Sequence, residues 1–180
     1  MTLESKRCIL KPASISEIKF AINNPDKLLK KLDLTSSPNW PTKEFSISAP
    51  WAIVGIESKP PQSIQRGSWW LWWIILKPSA SNLDKGRIIG HVGFKGAPNI
   101  YGALEVTYSL DPTYRKLGLC TEATQALIKW GFKQKNVKKV MADTTVDNIA
   151  SQRTLKKLGF KQIKPIEQEI ELCYELKKAA

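Results

Sequence analysis

The segment of residues 103–133 constrains this chain most, because its pattern is that of a strand, a short basic loop and a helix. Residues 103–110 are rich in β-branched and aromatic residues, which is typical of a strand. Asp111-Pro112 ends that strand, since proline cannot donate to a sheet ladder. Apolar residues then recur at helical spacing over residues 119–133. The sequence therefore predicts a strand–loop–helix unit here.

The loop of this unit has the composition of an anion-binding corner. Arg115 and Lys116 are adjacent cations, and Gly118 lets a ligand approach the backbone just before the helix begins. The first N–H groups of a helix have no intrahelical partner, and the helix dipole favours negative charge there. The loop favours a phosphate or pyrophosphate ligand. On loop chemistry alone, a plain strand-to-helix turn with solvated cations remains an open alternative.

The motif Arg115-x-x-Gly118-x-Cys120 resembles the Arg/Gln-x-x-Gly-x-Gly/Ala signature of the GNAT superfamily of acetyl-CoA-dependent N-acetyltransferases. The combination of motifs is similar to the Rim-type ribosomal-protein acetyltransferases, strongly over the C-terminal half and in outline over the N-terminal half. The other matching stretches are Tyr108-Ser109-Leu110-x-Pro112-x-Tyr114, Thr121-Glu122-Ala123, Asp147-Asn148-x-Ala150-Ser151 and Lys156-Lys157-Leu158-Gly159-Phe160. The sequence departs from the family at Lys116, usually glycine, and at Cys120, where a larger side chain narrows the approach to the pyrophosphate.

The resemblance implies acetyl-CoA as co-substrate and assigns residues to it. Backbone groups of Val106, Thr107 and Tyr108 are expected to pair with the pantetheine and the acetyl carbonyl, and Asn148 is expected to bind the pantetheine. Capping of the following helix is the plain interpretation of Asn148. The pyrophosphate is expected to lie against the N–H groups of Arg115, Lys116, Leu117, Gly118, Leu119 and Cys120, with Thr121 behind them.

Two residues are candidates for proton transfer. Glu105 is the candidate base, since alternation puts it on one strand face with Thr107 and burial raises a carboxyl pKa towards a useful range. A salt bridge to a lysine is the alternative. The resemblance offers the Ser151 hydroxyl as the acid for the leaving thiolate, with Tyr108 and Tyr114 as alternatives that pack in the core by default.

His91 is the single histidine, and a lone histidine in a strand is more often packed than catalytic. Its strand neighbours that of Glu105, so the sequence places the two residues near each other. The tryptophans at 69, 70, 72 and 73 alternate faces of a predicted strand, so half are expected in the core. The other half are candidates for walling the acceptor pocket, with core packing as the default interpretation.

The chain has 180 residues and a formal net charge of +12. Such charge favours an acidic partner or a polyphosphate ligand. Nucleic acid is less favoured, because the lysines are spread along the chain and do not form a concentrated patch. Three unpaired cysteines argue against a disulfide framework or a metal site and favour a reducing cytoplasm. No signal peptide is predicted, and the longest apolar run, residues 69–76, is too short for a membrane helix. A homodimer is compatible with the sequence, which carries no motif that specifies it.

Elsewhere the pattern predicts N-terminal helices, a three-strand meander, the central unit, and a final strand, helix and strand pair. The first two predicted helices are capped by Ser14 or Ser16 and by Asn24, and a third helix is predicted over about 42–57, kinked or split at Pro50. The meander strands are predicted at 68–77, 87–95 and 103–110, the later strands at 139–145, 161–164 and 167–177, and the last helix at 150–158. This order predicts an α/β (α+β) domain over residues 1–180, with a mixed sheet covered on both faces. By resemblance it is a GNAT fold, mostly antiparallel and splayed at the centre.

We therefore expect an N-acetyltransferase that moves an acetyl group from acetyl-CoA to a primary amine by direct attack. The acceptor is a protein N-terminus or a small amine, in a pocket shaped by residues 14–67. The alternative of a different class is a non-catalytic module of the same fold that binds nucleic acid or an acidic protein through its basic surface.

Overall fold

The computed structural model describes residues 1–58, 69–80, 84–163 and 171–179. Over those residues it contains nine strands and five α-helices. In chain order they are β1 Leu3–Glu4, β2 Cys8–Pro12, α1 Ile15–Asn23, α2 Pro25–Leu32, β3 Thr35–Ser36, α3 Lys43–Glu57, β4 Trp72–Leu76, β5 Arg87–Phe94, β6 Ala103–Leu110, α4 Leu119–Phe132, β7 Lys139–Thr145, α5 Ile149–Lys157, β8 Lys161–Gln162 and β9 Glu171–Lys177.

The strands form one sheet in the order β1-β2-β4-β5-β6-β7-β9-β8, with β3 attached to β5. Neighbours pair antiparallel except β6 with β7 and β3 with β5, which are parallel. The predicted meander β4–β5–β6 is confirmed. The β6–β7 ladder has only three rungs, from Ala103 with Lys139 to Glu105 with Met141, and the two strands part beyond it. The sheet is therefore mostly antiparallel and open at its centre, as predicted.

Side chains at the helix starts fix where the N-terminal helices begin. Ser14 and Glu17 form a capping box at α1, and Asn24 accepts from the N–H of Lys27 at the start of α2. The Thr42 hydroxyl accepts from the N–H of Phe45 at the start of α3. The cap expected at Ser14 or Ser16 is found at Ser14, the cap expected at Asn24 is confirmed, and α3 begins within one residue of its predicted start.

The sheet separates two hydrophobic cores. Trp72 and Ile74 face the core under α4, whereas Trp73 and Ile75 face the core under α1–α3. Trp69 is also buried, so three of the four tryptophans are core residues. Core packing, the default interpretation, is confirmed for these three tryptophans, because helices cover both faces of the sheet.

Three local predictions differ from the structure. Residues 69–70 form a turn rather than the start of β4, and the loop after α2 contains β3, whose pairing with β5 is not visible locally. Helix α3 is not split at Pro50. Proline has no N–H to donate to the Ser46 carbonyl, but both residues lie on the exposed side of the helix, where water can bond that carbonyl. The predicted connection at 59–67 and parts of the predicted strands at 68–77, 161–164 and 167–177 lie outside the described residues.

Candidate active site

The loop between β6 and α4 presents a row of unpaired amides. Lys116 and Gly118 both have positive φ, 63° and 77°, and Gly118 is the N-cap of α4 without a side-chain cap. Among the described residues, nothing accepts a hydrogen bond from the backbone N–H groups of residues 116–121. Residues 115–118 are exposed. These amides, at the positive end of a helix dipole, can bind the oxygens of an anion.

Contacts on the other side of the loop hold it in this shape. The backbone N–H and Nε of Arg7 donate to the Glu122 carboxylate at 2.6 and 2.8 Å, and its Nη1 donates to the Leu117 carbonyl at 3.0 Å. Burial alone would raise the Glu122 pKa, but the hydrogen bonds and charge of Arg7 lower it. Arg7 therefore braces the loop. This role could not be predicted from the sequence, since the residues that Arg7 contacts lie more than 100 positions away along the chain.

The Arg115 N–H donates to the Pro112 carbonyl at 3.2 Å, so the expectation that it contacts the pyrophosphate is wrong. The Arg115 side chain also turns away from the row of amides. Its Nε donates to the Leu110 carbonyl at 3.1 Å, and its Nη2 meets the Glu44 carboxylate on α3 at 3.2 Å. Asp111 stiffens the same corner by accepting from the N–H groups of Asn39 and Thr113, each at 2.8 Å. Burial would raise the Asp111 pKa, but these bonds hold it well below its usual range. The corner is therefore held in shape by contacts within the protein.

The two departures from the family motif have different structural consequences. Lys116 keeps the left-handed backbone that glycine adopts without cost, so the loop shape survives the substitution. The Cys120 side chain packs against the core under α4. The expectation that it narrows the approach to the amides is therefore wrong. Burial raises the pKa of its thiol to about 12, so it is not a thiolate at neutral pH.

The gap between β6 and β7 begins at Val106. The backbone N–H groups of Lys95 and Asp111 donate to the carbonyls of Glu105 and Ile89, which sets odd-numbered β6 residues as the hydrogen-bonded partners of β5. The Val106 carbonyl and the Tyr108 N–H consequently face the gap. The backbone groups of Thr107 face β5, so the expectation that they pair with the pantetheine is wrong. An extended ligand can pair with β6 there as an added strand.

Three predicted site residues meet where α5 begins. The Tyr108 hydroxyl lies 2.9 Å from the Ser151 Oγ, spanning the gap from β6 to α5. Burial holds the Tyr108 pKa well above its usual range, so the phenol keeps its proton. Asn148 is the N-cap of α5, and its Oδ1 accepts from the Ser151 N–H at 3.1 Å, as the capping interpretation predicts. Its amide NH₂ donates to no described residue and is available to a ligand.

Glu105 and His91 are not brought together. Glu105 forms an ion pair with Lys95, the alternative raised for it. His91 lies opposite Ser109, four residues further along β6, so the expected proximity to Glu105 is wrong. The buried His91 ring instead places Nε2 3.1 Å from the Ser48 hydroxyl of α3 and packs edge-on against Phe45. Burial lowers its pKa to about 4, so the ring is neutral.

The structure thus combines an open sheet with an anion-binding corner at the mouth of its gap. The family model of the acetyltransferase (GNAT) domain matches residues 21–161. The chain belongs to this family and is an acyltransferase. It is 29% identical over 159 residues to the uncharacterized N-acetyltransferase YjdG of Bacillus subtilis (strain 168), covering 88% of each chain.

Solved structures share the fold. RimL, a ribosomal L7/L12 α-N-protein acetyltransferase in complex with coenzyme A, matches with a TM-score of 0.63 and 17% identity over 98% of both chains. The ribosomal-protein-S5-alanine acetyltransferase from Vibrio fischeri matches with a TM-score of 0.62 and 19% identity over 98% of this chain and 96% of that one. At these identities the likeness shows the fold alone.

Two features are absent from the described part of the chain. Within it, no three histidine, cysteine or acidic side chains cluster as metal ligands. No helix in those ranges is long and apolar enough to span a bilayer.

Proposed function

We propose that this protein transfers the acetyl group of acetyl-CoA to a primary amine, with a protein N-terminus or a small amine as acceptor. The observation that carries the proposal is the row of unpaired amides at residues 116–121, beside a gap that exposes the Val106 carbonyl and the Tyr108 N–H. A diphosphate fits the first feature and an extended pantetheine arm fits the second. The Asn148 amide lies across the same gap as a further donor.

In this proposal acetyl-CoA supplies a thioester, and the protein supplies position and proton transfer. Holding a thioester and an amine in the geometry for direct attack can lower the activation free energy by about 7–11 kcal/mol. Ser151, hydrogen-bonded to the protonated Tyr108, donates a proton to the departing thiolate. Glu105 accepts the amine proton directly or through water, once its carboxylate has separated from the Lys95 ammonium group. No covalent bond to the enzyme is needed.

The acceptor is expected on the face of the sheet covered by α1–α3, opposite α4. Glu105 and Thr107 lie on that face, and Glu44 and Ser48 of α3 lie above it. The Rim-type neighbours support a protein N-terminus, and the net charge of +12 supports an acidic one. Residues 59–67 of the expected pocket lie outside the described ranges.

Two measurements test the donor. Saturating acetyl-CoA is expected to raise the melting temperature by several degrees, because it binds only the native state. Gly118→Trp is expected to abolish this shift while circular dichroism shows an intact fold, because a side chain at φ 77° strains the loop and its Cβ would lie 3.5 Å from Arg7 Nη2, which disturbs the brace that holds the amides. Thr113→Trp adds the same ring at an exposed position outside the row and should keep the shift. An unchanged affinity in Gly118→Trp would reject the loop assignment.

A panel of amines and of peptides with free N-termini then tests the acceptor, with release of the coenzyme A thiol as the readout. Tyr108→Phe and Ser151→Ala are each expected to lower kcat by about 10²-fold at unchanged acetyl-CoA affinity if the pair supplies the proton. A binding module without catalysis would release no thiol with any acceptor, and its affinity for nucleic acid would fall steeply with salt.

A further inference from the structure

A cavity of about 200 Å³ lies behind the loop, on its side away from the gap between β6 and β7. Its polar lining residues are Arg7, Arg87 and Tyr114. Its apolar wall consists of Leu76, Ala80, Leu117 and Leu119. The cavity is open to solvent on one side, and no step of the proposed acetyl transfer uses it.

This cavity is separate from the row of amides because the loop backbone stands between them. The Leu117 carbonyl accepts from Arg7 and so points towards the cavity. In a planar trans peptide the carbonyl and the following N–H point in opposite directions, so the Gly118 N–H points away from it. Leu76 and Arg87 lie on β4 and β5, which are separated from the gap by β6. A ligand in the cavity would therefore not occupy the proposed diphosphate position.

The charge in this cavity is not fully neutralised. Arg7 is paired with Glu122, but among the described residues no carboxylate lies within ion-pair distance of Arg87. Arg87 donates instead to the Tyr114 Oη at 3.0 Å and to the Thr35 Oγ1 at 3.3 Å. The Tyr114 oxygen accepts from Arg87, so its own proton is free to be donated to a ligand. The nearby Lys77 pairs with Glu4 and adds no net charge.

We propose that this cavity binds a small organic anion with a phosphate or carboxylate head and an apolar body. The two guanidinium groups and the phenol donate to the head, since the planar guanidinium matches the oxygens of either anion. The leucines contact the apolar body. The volume is below the roughly 300–1,000 Å³ of sites for drug-sized ligands, so the ligand is small.

The test measures binding of phenyl phosphate by isothermal titration calorimetry, with benzoate to compare the two heads and inorganic phosphate to remove the apolar body. Phenyl phosphate is expected to bind both the free protein and the protein saturated with coenzyme A. Arg87→Met is expected to weaken it at least 10-fold and Tyr114→Phe about 3-fold, whereas Lys30→Met, which removes the same charge at an exposed position on α2, leaves it unchanged. Inorganic phosphate should bind at least 5-fold more weakly.

Four results would overturn the proposal. They are the absence of phenyl phosphate and benzoate binding, full affinity in Arg87→Met and Tyr114→Phe, displacement of phenyl phosphate by coenzyme A, and equal affinity for inorganic phosphate. Tyr114→Phe decides the outcome if Arg87→Met unfolds. A protein that binds phenyl phosphate through Arg87 but never binds coenzyme A would contradict the proposed function and leave this site standing.

Discussion

Lys116 occupies a backbone conformation that favours glycine, with φ of 63°. The left-handed region costs a side-chain-bearing residue about 1–2 kcal/mol, and the greater freedom of glycine in the unfolded chain offsets about 0.4–1 kcal/mol of that. We predict that Lys116→Gly raises the free energy of unfolding by about 0.5–1 kcal/mol. Urea denaturation of both proteins measures it.

Lys116→Ala is the control for this prediction, because alanine removes the same charge and keeps the unfavourable conformation. Its stability should stay close to that of the wild type. Equal stability of the glycine and alanine variants would show that the loop relaxes out of the left-handed region, and with it that the amides are not held in a fixed row.

His91 makes stability depend on pH. Burial lowers its folded-state pKa from 6.5 to about 4, with the more distant Glu44 acting in the opposite direction. Between those values the unfolded chain binds a proton that the native protein does not, so stability is full above pH 6.5 and falls as the pH decreases towards 4. We predict a loss of about 2 kcal/mol between pH 7 and pH 5.

Urea denaturation at several pH values tests this prediction. His91 is the one histidine of the chain, and the carboxylates with lowered pKa begin to lose their contribution only near and below their ordinary values of 4.5 or less. His91→Gln, whose amide can still meet Ser48, should flatten the profile between pH 7 and pH 5. A steep profile in the glutamine variant would assign the proton to another group.

At the scale of one element, α5 begins on a residue with two proposed roles. Asn148 caps the helix through Oδ1, and its NH₂ is the proposed donor to acetyl-CoA. Asp caps a helix as well as Asn does, but its carboxylate has no N–H to donate. We predict that Asn148→Asp keeps the melting temperature and weakens acetyl-CoA binding about 10-fold or more, as measured by calorimetry and thermal unfolding.

Asn148→Ala separates the two roles further. It should lose about 1 kcal/mol of stability, because the cap is gone, and also lose acetyl-CoA affinity. If Asn148 only caps the helix, the aspartate variant will bind acetyl-CoA as tightly as the wild type does.

Elements whose causes are local could be predicted from the sequence. The bounds of β6 and β7 match the prediction, since a β-branched pattern ends at Asp111-Pro112 in one case and follows a polar turn in the other. The caps at Ser14 and Asn24 were predicted because each is a side-chain contact within three residues. The strand β3 was missed, since its two residues form a strand only by pairing with Arg87 and Ile88.

At the scale of the whole molecule, the site depends on contacts between distant segments. Arg7 reaches Glu122 over 115 residues, Arg115 reaches Glu44 over 71, and Tyr108 reaches Ser151 over 43. Periodicity and turn chemistry carry no information on such pairs. The sequence therefore indicated the loop and its ligand class but not the brace behind the loop, the burial of His91 under α3 or the cavity beside Arg87.

Backbone groups of successive β6 residues face β5 and the gap in turn, which allows a prediction for single amides at the open centre of the sheet. The two halves of the sheet meet at three rungs between β6 and β7, and beyond them the Tyr108 N–H faces the gap while the Ser109 N–H faces β5. If the pantetheine of acetyl-CoA pairs with β6, it bonds the first amide and leaves the second as it was. We predict that acetyl-CoA slows hydrogen exchange of the Tyr108 amide and of the amides at 116–121 by about 10-fold or more, without changing that of Ser109.

Exchange followed by ¹⁵N-resolved NMR measures each amide separately, and coenzyme A without the acetyl group serves as the control that should protect the same positions. Protection of the loop amides alone would mean that the diphosphate is bound while the arm takes another path. Protection of neither, with a raised melting temperature, would place acetyl-CoA elsewhere on the protein.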